Sequence, residues 1–378
     1  MSDLLQEIKL RQLTNQYLIR KADRLTVLRD LCGMQAQFYA NAVHALRIRC
    51  ADFDEQTVGQ GAVKNWTLRG TVHVFAEDDL PLFMHCRNGA DYRSETWPGY
   101  CIREQNGVQS TWVGAPDDPG APGAPGDPGH PTKTWMLTPD RQAFFARLVL
   151  DAVASAPKTR DELKEICLQA GITRIEADAF FHPWGGGIRD LCSRGFLNYV
   201  VSEKKAYTLA PWFSPIPEEL ARLTIARRYF THIAPATIRD AAHFLGTTQN
   251  EVKYLMEELP LTSAAVGKHT YYWIENDRSC VEGEVPPCIL LAGFDPLMLG
   301  YHSEQNLFLS AEHRRGIFNT AGIVNPAILL HGRVVGKWKK QKSRLNLTLF
   351  EPICEADRRL ITHTAESLWQ DIHTITWL

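Results

Sequence analysis

The sequence predicts a mainly α-helical fold with small β elements, arranged as a tandem array of helical units each closed by a β-hairpin. Three observations predict it. Apolar residues recur at helical spacing, as in 140–154, where Phe144, Phe145, Leu148 and Val149 fall on one face. Short β-prone runs follow the helices in pairs joined by polar turns, as in 196–201 and 206–209 across 202–205. From about Pro286 the texture changes and β-like segments dominate.

At 378 residues the chain suits two to four small domains, and its apolar fraction of 44% is that of an ordinary globular protein. The net charge of -2 lacks the basic balance that usually marks nucleic-acid binding, so any DNA contact must come from local patches. The polar N-terminus has no apolar core like that of a signal peptide. No window approaches the ~18 apolar residues of a membrane span. Both features point to the cytoplasm and away from a membrane. Nine cysteines are scattered without a C-x-x-C pair, which argues for reduced thiols rather than disulfides or a zinc site. There is no H-E-x-x-H run, and neither a metal nor a cofactor is expected.

In chain order, the first unit reads as helices over 4–19, 24–32 and 41–49 and a strand over 67–75. Residues 114–131, GAPDDPGAPGAPGDPGHP, have no apolar anchor and read as a disordered or polyproline-like linker. The second unit has the 140–154 helix, a helix opened by Thr159 with Glu162 three residues on, a helix over 188–194, and the hairpin already described. The third has helices over 218–232, 235–246 (ended by Gly246) and 247–257, then a hairpin of 259–266 and 270–274. Helix, turn, helix, hairpin is the winged-helix arrangement, in which the helix after the turn can enter the major groove. The C-terminal region has β-like runs at 288–293, 327–331, 333–339 and 345–350, with a turn at His331-Gly332 and a closing helix over 355–372. It reads as a small sheet or barrel.

Four segments carry a resemblance. Leu31-Cys-Gly-Met-Gln-Ala-Gln37 resembles the Gln-Φ-Gln active-site segment of AlkZ-type (YcaQ-like) DNA glycosylases, where Φ is apolar. Trp66-Thr-Leu-Arg-Gly-Thr-Val-His73 resembles their W-x-x-R-G-T-x-H segment. Phe294-Asp-Pro-Leu-Met-Leu-Gly-Tyr301 resembles F-D-P-x-L-L-G. Residues 325–338 resemble the C-terminal P-x-x-L-x-D-G-x-x-x-G-x-W run. Order and spacing cover nearly the whole chain. The resemblance implies three tandem winged-helix domains (1–113, 135–213 and 214–280, with 114–134 as linker) and a C-terminal β-barrel with its closing helix (281–378). It further implies a monomeric protein that excises N7-alkylated purines from double-stranded DNA, with Gln35 and Gln37 catalytic and, in some members, unhooking of interstrand crosslinks. Ala36 is small for the Φ position.

Amide chemistry limits what Gln35 and Gln37 can do. Hydrolysis of a glycosidic bond needs a placed water and support for an oxocarbenium-like transition state, a task carboxylates perform in glycosidases. A carboxamide does not titrate near neutral pH, but it accepts from water with its oxygen and donates with its nitrogen. Two amides therefore place a water without activating it strongly. That suits a base already carrying positive charge, as N7-alkylpurines do. Residues two apart in a helix point to nearly opposite sides, so the pair belongs at a helix start or in a turn, with Gly33 as the breaker.

Other candidates are Arg69, Thr71 and His73, whose alternation places them on one face of a strand, either beside the lesion or in an ordinary polar core. Residues 333–344 hold Arg333, Lys337, Lys339, Lys340, Lys342 and Arg344 without an acidic residue. With Arg314 and Arg315 they form the best phosphate-binding candidate. Asp295, before proline, reads as a cap or turn residue. His182-Pro-Trp-Gly-Gly-Gly187 lacks the Lys-Ser/Thr of a phosphate loop and reads as a chain reversal. The rival functional reading is a non-enzymatic winged-helix DNA-binding protein such as a regulator, which gives no reason for the glutamine pair. A protein-interaction scaffold is weaker still.

Overall fold

In the computed structural model, residues 3–84, 103–105, 108–110, 139–182, 186–214, 216–276 and 285–378 are described. The Pro/Gly-rich segment and most of the turn after His182 lie outside the described residues. The chain forms two compact units. One comprises Met1–Ala62, Leu68–Asp79 and Glu219–Leu378, and the other Val63–Thr67 and Leu80–Glu218.

The first unit begins with α1 (Asp3–Asn15), α2 (Arg24–Asp30), the two-residue strand β1 (Met34–Gln35) and α3 (Tyr39–Arg47). Then comes β3 (Val72–Ala76), while β2 (Ala62–Trp66), before it in the chain, belongs from Val63 on to the second unit. The predicted strand over 67–75 is shorter than expected. A tight turn at Leu68–Gly70 precedes β3, because Arg69 (φ 56°) and Gly70 (φ 62°) both lie in the left-handed region, which no strand continues through.

The second unit holds α4 (Leu80–Phe83), the short hairpin β4 (Arg103–Gln105) and β5 (Val108–Ser110), and α5 (Pro139–Ser155). It continues with β6 (Lys158–Thr159), α6 (Arg160–Gln169), α7 (Arg174–Phe180), α8 (Gly186–Ser193), β7 (Leu197–Tyr199) and β8 (Ala206–Leu209). The Thr159 cap is a full capping box: its hydroxyl accepts from the Glu162 amide while the Glu162 carboxylate accepts from the Thr159 amide. Thr173 and Glu176 repeat it at α7. Phe145, Val149, Leu163, Phe180, Leu191 and Leu197 form the core, and β8 lies between β6 and β7. Asn65 of β2 is fully buried, its amide donating to the Leu197 carbonyl and the Asn198 side chain at 2.9 and 2.7 Å.

The first unit resumes with α9 (Glu218–Arg228), which runs into a π-helical turn at Tyr229–Ile233. Next are α10 (Ile238–Leu245), capped by Thr237 and closed by Gly246 at φ 65°, α11 (Gln249–Glu257), capped by Thr248, and the antiparallel hairpin β9 (Thr262–Val266) and β10 (His269–Trp273). The order here is helix, turn, helix, hairpin.

The C-terminal region of this unit holds β11 (Cys288–Leu290), α12 (Pro296–Leu299), α13 (Arg314–Ile317), β12 (Ala327–Leu330), β13 (Arg333–Gln341), β14 (Arg344–Leu349), α14 (Glu355–Leu368) and β15 (Thr374–Trp377). His331 and Gly332, both left-handed, make the two-residue turn between β12 and β13. The expected barrel is instead an open five-stranded sheet in the order β11-β12-β13-β14-β15. The last strand adds parallel to β14 rather than closing onto β11. The reason lies in α14, which packs on β11 and shares a core of Leu290, Leu330, Trp338, Ile361 and Trp369 with the sheet. The helix also ends before 372, leaving residues for the edge strand. Among the described residues no helix is long and apolar enough to cross a membrane.

Candidate active site

The segment carrying the two glutamines is extended. Helix α2 starts from Asp23, whose carboxylate accepts from the Thr26 amide, and stops at Leu31. Cys32 (φ 56°) and Gly33 (φ 88°) then turn the chain. Strand β1 pairs antiparallel with β3, placing Met34 opposite Val74 and Gln35 opposite His73. The Ala36 amide donates to the Val72 carbonyl at 2.7 Å. Gln37 and Phe38 then bend into α3. Gln35 is buried, at 7% exposure, and Gln37 is exposed. Gln35 thus lies in β1 and Gln37 in the bend that follows it, both outside any helix. Gly33 is needed twice over, for its positive φ and for space. A Cβ there would stand 2.9 Å from the Val74 carbonyl oxygen and 3.0 Å from the Phe75 Cβ.

The imidazole opposite Gln35 is neutral at neutral pH. His73 is buried, and burial followed by the Arg69 charge pushes its pKa down to about 3. Its Nδ1 faces the Thr71 carbonyl at 3.2 Å. Cys32, below the turn, is equally inert, since burial raises its thiol to about 12.

Arg69, Thr71 and His73 do not share a strand face, because the left-handed turn rotates the first two out of β3. The Thr71 hydroxyl is turned back to the Leu68 carbonyl at 3.1 Å. Arg69 Nη1 donates to the Phe244 carbonyl at 2.9 Å, and its guanidinium lies 5.3 Å from the Phe244 ring centroid. Desolvation lowers its pKa to about 10, so it stays charged at neutral pH. No salt bridge joins it to a carboxylate among the described residues.

Three contacts hold this segment, two of them fully buried. Arg228 grips Asp79 through both guanidinium nitrogens at 2.7 and 2.8 Å and donates to the Arg29 carbonyl at the end of α2. Arg49 makes a fully buried bidentate pair with Asp295 at 2.9 and 2.6 Å. Asp295 also caps α12 by accepting from the Leu297 amide, so it is structural, as its place before proline implied. His44 on α3 faces the Leu290 carbonyl at 2.7 Å and packs on Trp338 and Trp369. Burial lowers its pKa to about 4. The Gln-x-Gln, F-D-P and C-terminal tryptophan segments, remote in sequence, thus meet around α3.

The basic run is less free than its sequence suggests. Folding brings acids to it: Lys340 pairs with Asp371 at 2.8 Å, Arg314 with Glu304 at 3.2 Å and Arg333 with Glu351 at 3.2 Å. Arg315, Lys337 and Lys339 have no such partner among the described residues. Lys337 and Lys339 lie on one face of β13, and Lys340, one residue on, on the other. Also among the described residues, no group of three or more His, Cys, Asp or Glu side chains is placed to hold a metal ion.

Residues 28–370 match the family described as DNA glycosylase AlkZ-like. The chain belongs to the AlkZ-like family of DNA glycosylases. Over 356 residues, covering 86% of this chain and 84% of the relative, it is 26% identical to the interstrand DNA cross-link repair glycosylase of Streptomyces sahachiroi. The solved structure of Streptomyces sahachiroi DNA glycosylase AlkZ has a similar fold, with a TM-score of 0.71, 20% identity and full coverage of both chains.

Sequence reasoning missed several residues on which the geometry of this AlkZ-like site depends. Arg49 sits in the run Ala42–Cys50 beside Arg47 and among mostly apolar residues, where a charge turned inward needs a buried partner, and that was its available signal. Asp79 and Arg228 carried none, because their pairing spans the intervening second unit in sequence. Phe38 reads as ordinary apolar filling beside Gln37, and only its exposure sets it apart.

Proposed function

We propose that this AlkZ-like glycosylase hydrolyses the N-glycosidic bond of N7-alkylated, cationic purines in double-stranded DNA, with Gln35 and Gln37 positioning the attacking water. The observation that carries the reading is the placement of Gln35 on an extended turn, buried opposite a histidine held neutral. A protonated imidazole there would repel the oxocarbenium-like centre, and a neutral wall does not. Gln37, exposed one position past the paired run, meets the sugar from the solvent side. Neither amide nitrogen is nucleophilic, so no Schiff base forms and the product is an intact abasic strand.

The DNA backbone is held by Arg315, Lys337 and Lys339, while Arg69, desolvated and engaged with Phe244, holds the turn. His73 shapes the pocket without contacting phosphate. Thr71 holds the turn. The helix–turn–helix–hairpin order of α10 to β10 supports a winged-helix reading of that segment, with backbone contacts setting position rather than sequence preference. The name of the Streptomyces sahachiroi relative supports extending the reading to unhooking of interstrand crosslinks.

Duplexes carrying N7-methylguanine and duplexes carrying an N7-linked interstrand crosslink test this together, with alkali-labile abasic sites as the readout. Wild type should release base from at least one, and Gln35→Ala/Gln37→Ala should lose ~100-fold or more in single-turnover rate. No release from either substrate, or equal release by the double variant, would sink the catalytic assignment. The rate should also stay flat between about pH 6 and 9, since no group at the pair titrates there; a carboxylate base would leave an acidic limb.

A further inference from the structure

Phe38 occupies its place against the preferences of an isolated fold. It is the N-cap of α3 and makes no side-chain capping bond. Small polar residues are favoured there, and α2, α6, α7, α10, α11 and α12 all use Thr or Asp. Its ring is also 48% exposed. A threonine at 38 would be better for the helix end and better for the surface. Yet the ring is held firmly. It stacks on Phe294 with centroids 5.9 Å apart and planes 19° off parallel. Phe294 is itself buried and held at φ 56°, a backbone region bulky residues rarely adopt. The neighbouring Gly293 packs closely on the Asn41 side chain, to which a Cβ there would stand 2.7 Å.

An uncapped helix end and a left-handed Phe294 together present one braced aromatic ring beside Gln37. We propose that Phe38 is a positioning residue that stacks on a DNA base next to the lesion. This rests on Gln35 and Gln37 being the catalytic centre. Every base has a π face, so such a contact steadies the damaged step without reading sequence. A ring already braced by Phe294 loses little freedom when it stacks.

The test uses a duplex with 2-aminopurine beside N7-methylguanine, and the full-length chain carrying Phe38→Thr, Phe38→Leu or Phe38→Trp. Each substitution is also placed in the Gln35→Ala/Gln37→Ala background, so that emission is read without chemistry. Phe38→Thr and Phe38→Leu should abolish the 2-aminopurine emission change on binding and lower kcat/KM roughly 10- to 100-fold. Phe38→Trp should preserve both. Phe38→Thr should melt at or above the wild-type temperature. The proposal is overturned if Phe38→Leu retains the emission change and the rate, or if the loss in Phe38→Thr follows a fall in melting temperature. Absence of base release by wild type would end the catalytic reading alone, because the emission change answers for Phe38 separately.

Discussion

The turn bearing Gln35 and the strand bearing Lys337 and Lys339 are held in opposite ways. Around the turn the ion pairs are bidentate, Arg49 with Asp295 fully buried and Arg228 with Asp79 partly so. Along β13 the charges are on the surface, and two of them are paired, Lys340 with Asp371 and Arg333 with Glu351. In the proposed function the first region positions a water and the second binds a polyanion, a task that several cations can share. The difference teaches where substitutions are costly and where they are graded.

The largest effect is expected at the buried pair. Asp295→Ala leaves Arg49 charged and unpartnered in the core and strips the cap from α12. It should cost ~3–5 kcal/mol, read from urea or guanidinium unfolding. A cost below ~1 kcal/mol would show that water or another acid reaches Arg49, and the contrast would weaken.

The pH dependence of stability comes next. His44 and His73 have folded pKa values of about 4 and about 3, below the ordinary 6.5. The unfolded chain therefore takes up their protons first. Their contribution is complete above 6.5 and is lost as the pH falls toward those values. Each group should cost ~1.4 kcal/mol per pH unit through that window. Unfolding midpoints from pH 7 to pH 5 check this, and His73→Gln should flatten the decline by one group's share.

Gly33→Ala should cost ~1–3 kcal/mol through its positive φ and its contact with β3. Its excision rate at a temperature where it is fully folded should fall well beyond that, since β1 must move. If rate and stability fall in proportion, the turn supports folding more than it positions Gln35.

The smallest effect falls on the strand. Lys337→Ala/Lys339→Ala should leave stability within about 0.5 kcal/mol and the rate at saturating DNA unchanged. It should reduce the salt dependence of binding by about one to two phosphate contacts. Lys340→Ala, already paired with Asp371, should change that slope less.

Local chemistry was legible where it acts locally. Thr159 with Glu162, Gly246 after α10 and the His331-Gly332 hairpin turn read correctly because caps and turns depend on residues within one turn of one another. The i,i+2 spacing and Gly33 likewise argued that Gln35 and Gln37 stand outside a helix, and β1 and the bend before α3 are where they lie. The errors came from elsewhere. Alternation suggested one strand from 67 to 75, but Arg69 takes a left-handed conformation that only its packing on Phe244 and Gly246 accounts for. The C-terminal sheet stayed open because α14 packs on β11, a choice made between segments far apart in sequence.

By itself the sequence determined the helical periods, the capped ends, the placing of Gln35 and Gln37 outside a helix interior, and the limits of amide chemistry. These follow from neighbours along the chain. Only the tertiary structure decided that Gln35 faces a neutral His73, that Arg49 finds Asp295, that three acids reach the basic strip, and that Phe38 stands on Phe294. Such partners are chosen by burial, where an unpaired charge is too costly to leave and a packed ring cannot shift.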